Sequence, residues 1–569
     1  MKHHLVGTLA LTSCALAQMA NDATPFLTRL SVAELEATRS PRPNRLQSTS
    51  HLISAETDQF IRETLKLWDV QGVQVAVVRR RQNSSEFDVE TRAYGVKSRD
   101  QQPMTTDANM LQTLLPIGSN SKAFTAAAVA LLVNDESYSL TWSTKIKDIL
   151  PEFRLQDPIA TAHSNLIDAL SHRTGLPRHD LAITKALDGA LGDVKHLRPS
   201  TEFREIWQYN NHMYNIAASV VARLTGGQFF DFVQEKLFHW FRGDDFLLQR
   251  SGFWKDANGT LRANYPYADL QLIFPGAGSI ISTANDIAKW LQTLLNDGKS
   301  PVTGKQVIAA SSLAALSTGY SAPAPGKARL PELGPRVYGM AFESTSYQGR
   351  QLIEHGGAIV GYYSQVTRFQ NDGLGIAVIT KENSVTAHEV IKWRIAEELL
   401  NMPIRVDWNA REVKANAEAS TVLKSTARAP DVTLEKLAIS FRHPVYGTLP
   451  FRVVGTNTLE ASTIGWAGYP SILTLQRSER NLFSATLVVE VQGPGSNESA
   501  TFDIPGLKGE FQISNGIVQG FGIWGDLWGA GYGAPSTSGE SPREKAEVWF
   551  NPELELQFGR DQNILDLSQ

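Results

Sequence analysis

A serine and a lysine three residues apart, Ser119 and Lys122, open an Ala-rich apolar run that continues through Leu132. That spacing puts both side chains on one face of a helix. The apolar helix would bury Lys122 close to the Ser119 hydroxyl. Burial disfavours an ammonium and lowers its pKa. A neutral amine beside a hydroxyl is a general base beside a nucleophile. No other Ser-x-x-Lys pair occurs in the 569 residues, although Thr421 and Lys424 repeat the spacing in a polar stretch. Taken by itself the pair also fits an ordinary helix start, with Ser119 as N-cap and Lys122 solvated.

Two further groups follow in chain order. Tyr209-Asn210-Asn211 places a phenol and an amide on one edge of a turn before a helix. It fits a loop with an asparagine cap. It equally fits a proton-shuttling Tyr209 with Asn211 as a substrate-binding amide. His355-Gly356-Gly357 lies in the apolar run Leu352 to Tyr362. Paired glycines there suggest a strand that something approaches closely. The alternatives are a glycine bulge beside an incidental histidine, or a substrate-lining strand that offers a backbone N–H to an oxyanion.

With these three motifs in this order, the chain resembles the class C β-lactamase and D-aminopeptidase group of serine hydrolases, relatives of the penicillin-binding proteins that share Ser-x-x-Lys. Ala169 to Pro177 and Pro275 to Asp286 resemble two non-catalytic segments of that group, and the resemblance covers roughly residues 55 to 400. It implies that Ser119 attacks an ester or amide carbonyl while Lys122, with Tyr209, accepts its proton. The N–H groups of Ser119 and Ala358 would hold the oxyanion. Tyr209 would protonate the leaving group, and Asn211 would orient the acyl chain. His355 would bond Tyr209 or contact substrate, and Gly356 and Gly357 would line the cleft. His172 is structural by the same resemblance. No cofactor or metal is implied. The group's classical members carry Lys-Thr-Gly where this chain has His355-Gly356-Gly357. That lysine helps bind a substrate carboxylate, so the exchange leaves the acyl donor, a small molecule or peptide, open. Three functions are compatible with these residues: a hydrolase of an ester, β-lactam-like amide or D-amino-acid peptide; an acyltransferase using the same acyl-serine; and a non-catalytic binding protein on the same scaffold.

The chain is too long for one ordinary domain. A net charge of −4 without a basic stripe argues against nucleic acid as a partner. Lys2, His3 and His4, the apolar run Leu5 to Leu16 and the small-residue site Ala15-Leu16-Ala17 read as a cleavable signal over residues 1–17, which implies secretion. That run is too short to span a bilayer, and no later one approaches the required length of about 18 residues. The single cysteine, Cys14, falls inside the signal, so the mature protein would have no disulfide and no thiol nucleophile. Asn83, Asn258 and Asn497 stand in glycosylation triplets. A Gly-x-Ser-x-Gly elbow is absent, and His388-Glu389 continues to Lys392 rather than to a second histidine, so a zinc protease motif fails.

Residues 18–54 read as a polar leader and 55–405 as the catalytic domain. Its expected elements are a helix from Glu56 to Trp68, strands at Val73 to Val78 and Asp88 to Tyr94, and helical pieces at Thr144 to Ile149 and Tyr214 to Thr225. Returning strands are expected at Tyr338 to Phe342, Ile353 to Val360 and Ile376 to Thr380, followed by a helix from Ala387 to Leu400. This is an α+β fold, an antiparallel sheet flanked by helices with an all-helical insertion. A connecting segment spans 406–432. From 433 to 569 the short alternating runs read as a small all-β domain, sandwich or barrel, with strands near Leu449 to Val454, Ile472 to Leu475, Ala485 to Val491 and Glu547 to Phe550. Such a domain resembles that of secreted fungal β-lactamase-like proteins. Trp524, Trp528 and Tyr532 read as aromatic core between turns, or as a loop that reaches the cleft.

Overall fold

The structure, a computed structural model, describes residues 51–96, 113–183, 191–238, 252–255, 261–264, 274–323, 330–359, 361–381, 386–418, 432–466, 469–492, 499–525 and 541–553. The expected signal and most of the leader lie outside the described residues, as do Val360, residues 419–431, Asn258, Asn497, Trp528 and Tyr532.

The chain enters through helix α1 (Ala55–Leu67). Ser54 caps it by accepting from the Thr57 N–H at 3.1 Å, and Glu56 and Asp58 sit in the first turn, where the helix dipole favours negative charge. Strands β1 (Gly72–Arg80) and β2 (Phe87–Gly95) form a hairpin. After the helical region come β3 (Val337–Tyr338), β4 (Glu343–Tyr347), β5 (Arg350–Ile359), β6 (Tyr362–Phe369) and β7 (Leu374–Lys381). They close an antiparallel sheet in the order β2-β1-β7-β6-β5-β4-β3. The expected strand from Tyr338 to Phe342 divides here. β3 ends at Tyr338, and β4 begins only at Glu343 after a turn in which Ala341 takes φ +70°.

Both sheet faces are covered, which is why β1 and β7 are mainly apolar and β6, though it carries Ser364, Gln365, Thr367 and Arg368, is buried along its whole length. On one face Val73, Val75, Val77, Ile376 and Val378 meet Ile61 and Leu65 of α1, together with Ile391 and Ile395 of helix α5 (Ala387–Leu399). On the other face Ala76, Val78, Ala377 and Ile379 meet the helical region. That region centres on α2 (Ser121–Asn134), α3 (Asn211–Thr225) and α4 (Ala284–Leu295). The alanines of α2 at 126, 127, 128 and 130 are fully buried, and Phe124 stacks on Trp290 of α4 with centroids 4.5 Å apart. Helix α5 (Ala387–Leu399) and helix α6 (Trp408–Glu418) cover the back of the sheet. Trp408 stacks on Trp393 at 5.4 Å and donates to the buried Glu397 at 2.8 Å.

The C-terminal part is a closed barrel of eight strands: β8 (Ser440–His443), β9 (Gly447–Gly455), β10 (Thr458–Trp466), β11 (Tyr469–Glu479), β12 (Leu482–Gln492), β13 (Ser499–Ser514), β14 (Ile517–Trp524) and β15 (Val548–Pro552). Closure removes both sheet edges. The interior is filled by side chains, with Phe441, Phe451, Phe511 and Phe521 packed ring to ring at centroid distances from 4.7 to 6.2 Å. Each such buried ring contributes about 2–3 kcal/mol relative to exposure.

Candidate active site

Ser119 lies in a single 3-10 turn, Gly118–Asn120, that runs straight into α2. Gly118 takes φ +52°, and a Cβ there would stand 2.8 Å from the Ala358 nitrogen. Glycine therefore lets the serine turn lie against β5. β4 pairs with β5 only up to Glu354, so from His355 onward one edge of β5 is left to this turn. The Ser364 hydroxyl of β6 bolts the two together, donating to the Ile117 carbonyl at 2.7 Å and accepting from Asn120 Nδ2 at 2.8 Å. Gly357 sits at the same junction, where its own Cβ would lie 2.0 Å from the Ile117 oxygen.

Lys122 is fully buried. Its Nζ lies 3.0 Å from Ser119 Oγ, 2.6 Å from Asn211 Oδ1 and 2.8 Å from the Ala277 carbonyl. Burial holds the amine well below its ordinary range; Arg178 pushes the same way and Asp180 opposes it. The hydrogen bonds then assign themselves. Asn211 Nδ2 donates to the Asp180 carboxylate at 2.8 Å, which fixes the amide with its oxygen toward Lys122. That oxygen and the Ala277 carbonyl can only accept, so they take both hydrogens of a neutral amine. The third contact, to Ser119 Oγ, is a hydrogen donated by the ammonium; in the neutral amine, which burial favours, it is the lone pair, placed to accept from the serine hydroxyl.

The Tyr-x-Asn group divides its labour between two asparagines. Asn210 is the cap of α3, accepting from the Met213 N–H at 2.9 Å, while Asn211 opens the helix and turns inward. Tyr209 is partly exposed. The Lys122 Nζ lies 4.8 Å from its ring centroid on one side, and the Arg178 guanidinium lies at 4.6 Å. Burial of its surroundings raises the phenol pKa, and Arg178 and the Ser119 side chain pull it partly back. His172 packs at 4.4 Å from the Tyr209 ring and at 4.8 Å from Tyr338. Its Nδ1 accepts from the Asn210 N–H at 3.1 Å, and burial keeps its pKa well below the usual value.

His355 is bonded to Tyr338 on β3, not to Tyr209, whose ring centroid is 6.3 Å away. Nδ1 donates to the Gly356 carbonyl at 2.6 Å, so Nε2 accepts from the Tyr338 hydroxyl at 2.9 Å. Burial, with Lys122 nearby, pushes its pKa down to about 3, so the ring is neutral. It therefore presents no cation where the classical members have lysine.

Ser119, Lys122, Tyr209, Asn211, His355, Gly357 and Ala358 thus come together around one turn, while the exposed Gly356 turns to the side of Gln365. The structure adds Arg178, Asp180, Tyr338 and the Ala277 carbonyl. Arg178 and Asp180 directly follow the segment ending at Pro177, so a charged pair beside a family-like segment was a usable signal. Tyr338 and Ala277 carry no such mark.

The family described as Beta-lactamase matches residues 57–400. An unguisins hydrolase of Aspergillus campestris is 29% identical over 428 residues, covering 69% of this chain and 76% of that protein. Another unguisins hydrolase, of Aspergillus violaceofuscus, is 26% identical over 489 residues, covering 77% of this chain and 83% of that protein. Among solved structures, the octameric penicillin-binding protein homologue from Pyrococcus abyssi aligns with a TM-score of 0.50 at 16% identity, covering 82% of this chain and 97% of the other, a likeness of fold. The match spans well over half of the chain and contains all three motifs, and the chain belongs to the β-lactamase family as a serine hydrolase of the β-lactamase, D-aminopeptidase and esterase type.

Proposed function

We propose that Ser119 forms a covalent acyl-enzyme with an ester or amide substrate and that water then releases the acyl group. The observation that carries this is the Lys122 hydrogen-bond set. Two obligate acceptors each take one hydrogen of the amine, so that in its neutral form the lone pair faces Ser119 Oγ, 3.0 Å away. Lys122 takes the serine proton as Oγ bonds to the carbonyl carbon. The oxyanion forms between the N–H groups of Ser119 and Ala358, each donor being worth about 3–4 kcal/mol in the transition state. Tyr209, whose pKa is held high, delivers a proton to the leaving amine or alcohol. The neutral His355 supports a neutral acyl donor over one bearing a carboxylate. Relatives named as unguisins hydrolases support hydrolysis over transfer to an alcohol and make unguisins the first compounds to assay.

The test is covalent. A fluorophosphonate probe is expected to add one equivalent to the protein, with the mass shift on the Ser119 peptide. Ser119→Ala should abolish labelling. Lys122→Met should slow it by about 100-fold or more, the usual worth of a general base. Undiminished labelling of Ser119→Ala would sink the assignment.

A further inference from the structure

The segment Arg178-His179-Asp180 lies between the catalytic site and the barrel. Arg178, 7% exposed, stands over the Tyr209 ring and donates through Nε to Asp180 at 2.7 Å. Asp180 accepts from Asn211, which holds Lys122. These two neighbours point into the site because His179 between them takes the left-handed conformation, φ +47°. A histidine adopts that backbone at a cost and keeps it only where its surroundings hold it.

The surroundings are specific. The His179 carbonyl accepts from the Ala182 N–H at 2.9 Å and from His212 Nε2 at 3.2 Å. Its Nε2 donates to the Arg198 carbonyl at 2.8 Å. That leaves Nδ1 as an acceptor, and it receives the hydroxyl of Tyr446 at 2.8 Å. Tyr446 belongs to the barrel. It sits, 2% exposed, in the turn between β8 and β9. The turn is itself pinned, since His443 Nδ1 accepts from the backbone N–H groups of Val445 and Tyr446, both at 3.1 Å. A second tie runs beside it. The Arg198 guanidinium donates to the carbonyls of Ala546 at 2.5 Å, Arg543 at 3.1 Å and Glu544 at 3.2 Å, at the barrel's short helix α7 (Pro542–Lys545). The residue whose carbonyl holds one end of the His179 ring is thus itself held by the barrel.

We infer that the barrel is a working part of the active site: Tyr446 is a positioning residue that clamps the left-handed turn at His179 and thereby sets Arg178 against Tyr209 and Asp180 against Asn211. This rests on the acylation role proposed for Ser119 and Lys122. The clamp has an electrostatic consequence. Lys122 is faced by Tyr209, Tyr214, Arg178, Asp180, His172 and His355. Of these, only Arg178 and Asp180 move with the turn. A turn that relaxes withdraws both from Lys122; Arg178, the larger of the two opposing influences, sets the sign, and the ammonium becomes easier to form.

The experiment uses the full chain and Tyr446→Phe, which keeps the ring and removes the hydroxyl. The rate of Ser119 labelling by a fluorophosphonate is followed against pH. The variant is expected to label about tenfold more slowly near neutrality, the scale of one lost hydrogen bond in a positioning chain, with its acid limb displaced to higher pH. Arg178→Met should displace the limb the same way, and adding Tyr446→Phe to it should change little further. His179→Asn, a residue type that tolerates the left-handed backbone, removes the acceptor instead of the donor and should match Tyr446→Phe. Hydrogen exchange over residues 176–183 reads the clamp without any acylation and should rise in both clamp variants. Wild-type protection there, or an unmoved pH profile with losses that add to those of Arg178→Met, overturns the inference. An unlabelled wild-type Ser119 would instead overturn the acylation role, and the exchange measurement alone would then decide the clamp.

Discussion

Replacing Gly357 by alanine tests whether the contact between β5 and the serine turn sets the geometry of the nucleophile. The added methyl would lie 2.0 Å from the Ile117 carbonyl oxygen and 2.4 Å from Ser364 Oγ, with the Ile117 carbonyl carbon at 3.0 Å. An ordinary carbon-to-oxygen contact is about 3.3 Å or more, so the turn and the strand must separate by about 1 Å. The obstacle is backbone plus a hydroxyl already bonded to Ile117 and Asn120, and neither can swing aside cheaply. Ile117 is two residues from Ser119, so the displacement passes directly to Oγ relative to the Ala358 N–H. Misplacement of this size costs about 100-fold in rate, and overpacking costs about 1–3 kcal/mol of stability. Gly356 is the internal control. Its methyl would meet only Gln365 Oε1, at 3.0 Å, the far end of a flexible side chain. The assay is kcat/KM on a chromogenic ester, with a thermal melt on each variant. Gly357→Ala should lose about two orders of magnitude and Gly356→Ala no more than about threefold. Near-native turnover by Gly357→Ala, or greater damage from Gly356→Ala, would refute the reasoning.

Two predictions concern stability. Asp168 is fully buried, and its carboxylate accepts from Arg173 and Arg204, the closest contacts both at 2.7 Å, and from the Asn165 N–H at 3.1 Å. Asp168→Ala breaks this cluster, and because both arginines retain contact with water the expected loss is about 2–4 kcal/mol in a denaturant titration; a change under about 0.5 kcal/mol would refute it. Burial depresses His179 and His355 to about 3 in the folded chain. The unfolded chain takes up those protons below pH about 6.5, so stability is full above that value and falls as pH drops toward 3, by about 1.4 kcal/mol per pH unit for each histidine. The melting midpoint should therefore hold between pH 7.5 and about 6.5 and decline from there to pH 5, and a flat profile down to pH 5 would overturn the claim that these rings are neutral.

The sequence alone determined the elements whose logic is local. An apolar helix headed by Ser119 and Lys122 buries its lysine because no face of it is fit for water. Strands β1 and β7 are mainly apolar because both sheet faces are covered, and short alternating runs closed by turns give an all-β end. The same local logic blurred the boundary at Tyr338 to Phe342, where a continuous apolar run hides a turn. What only the tertiary structure decided is which groups meet. Lys122 and Asn211 are 89 residues apart, and His179 and Tyr446 are 267 apart. Contacts at such separation are set by how α2 and α3 dock on the sheet and where the barrel lands, and no periodicity in the chain records that. For that reason Tyr338 and the Ala277 carbonyl stayed invisible among ordinary residues, the pairings of Arg178 with Tyr209 and of Asp180 with Asn211 were unmarked, and His355 found its partner on β3, beyond the intervening β4.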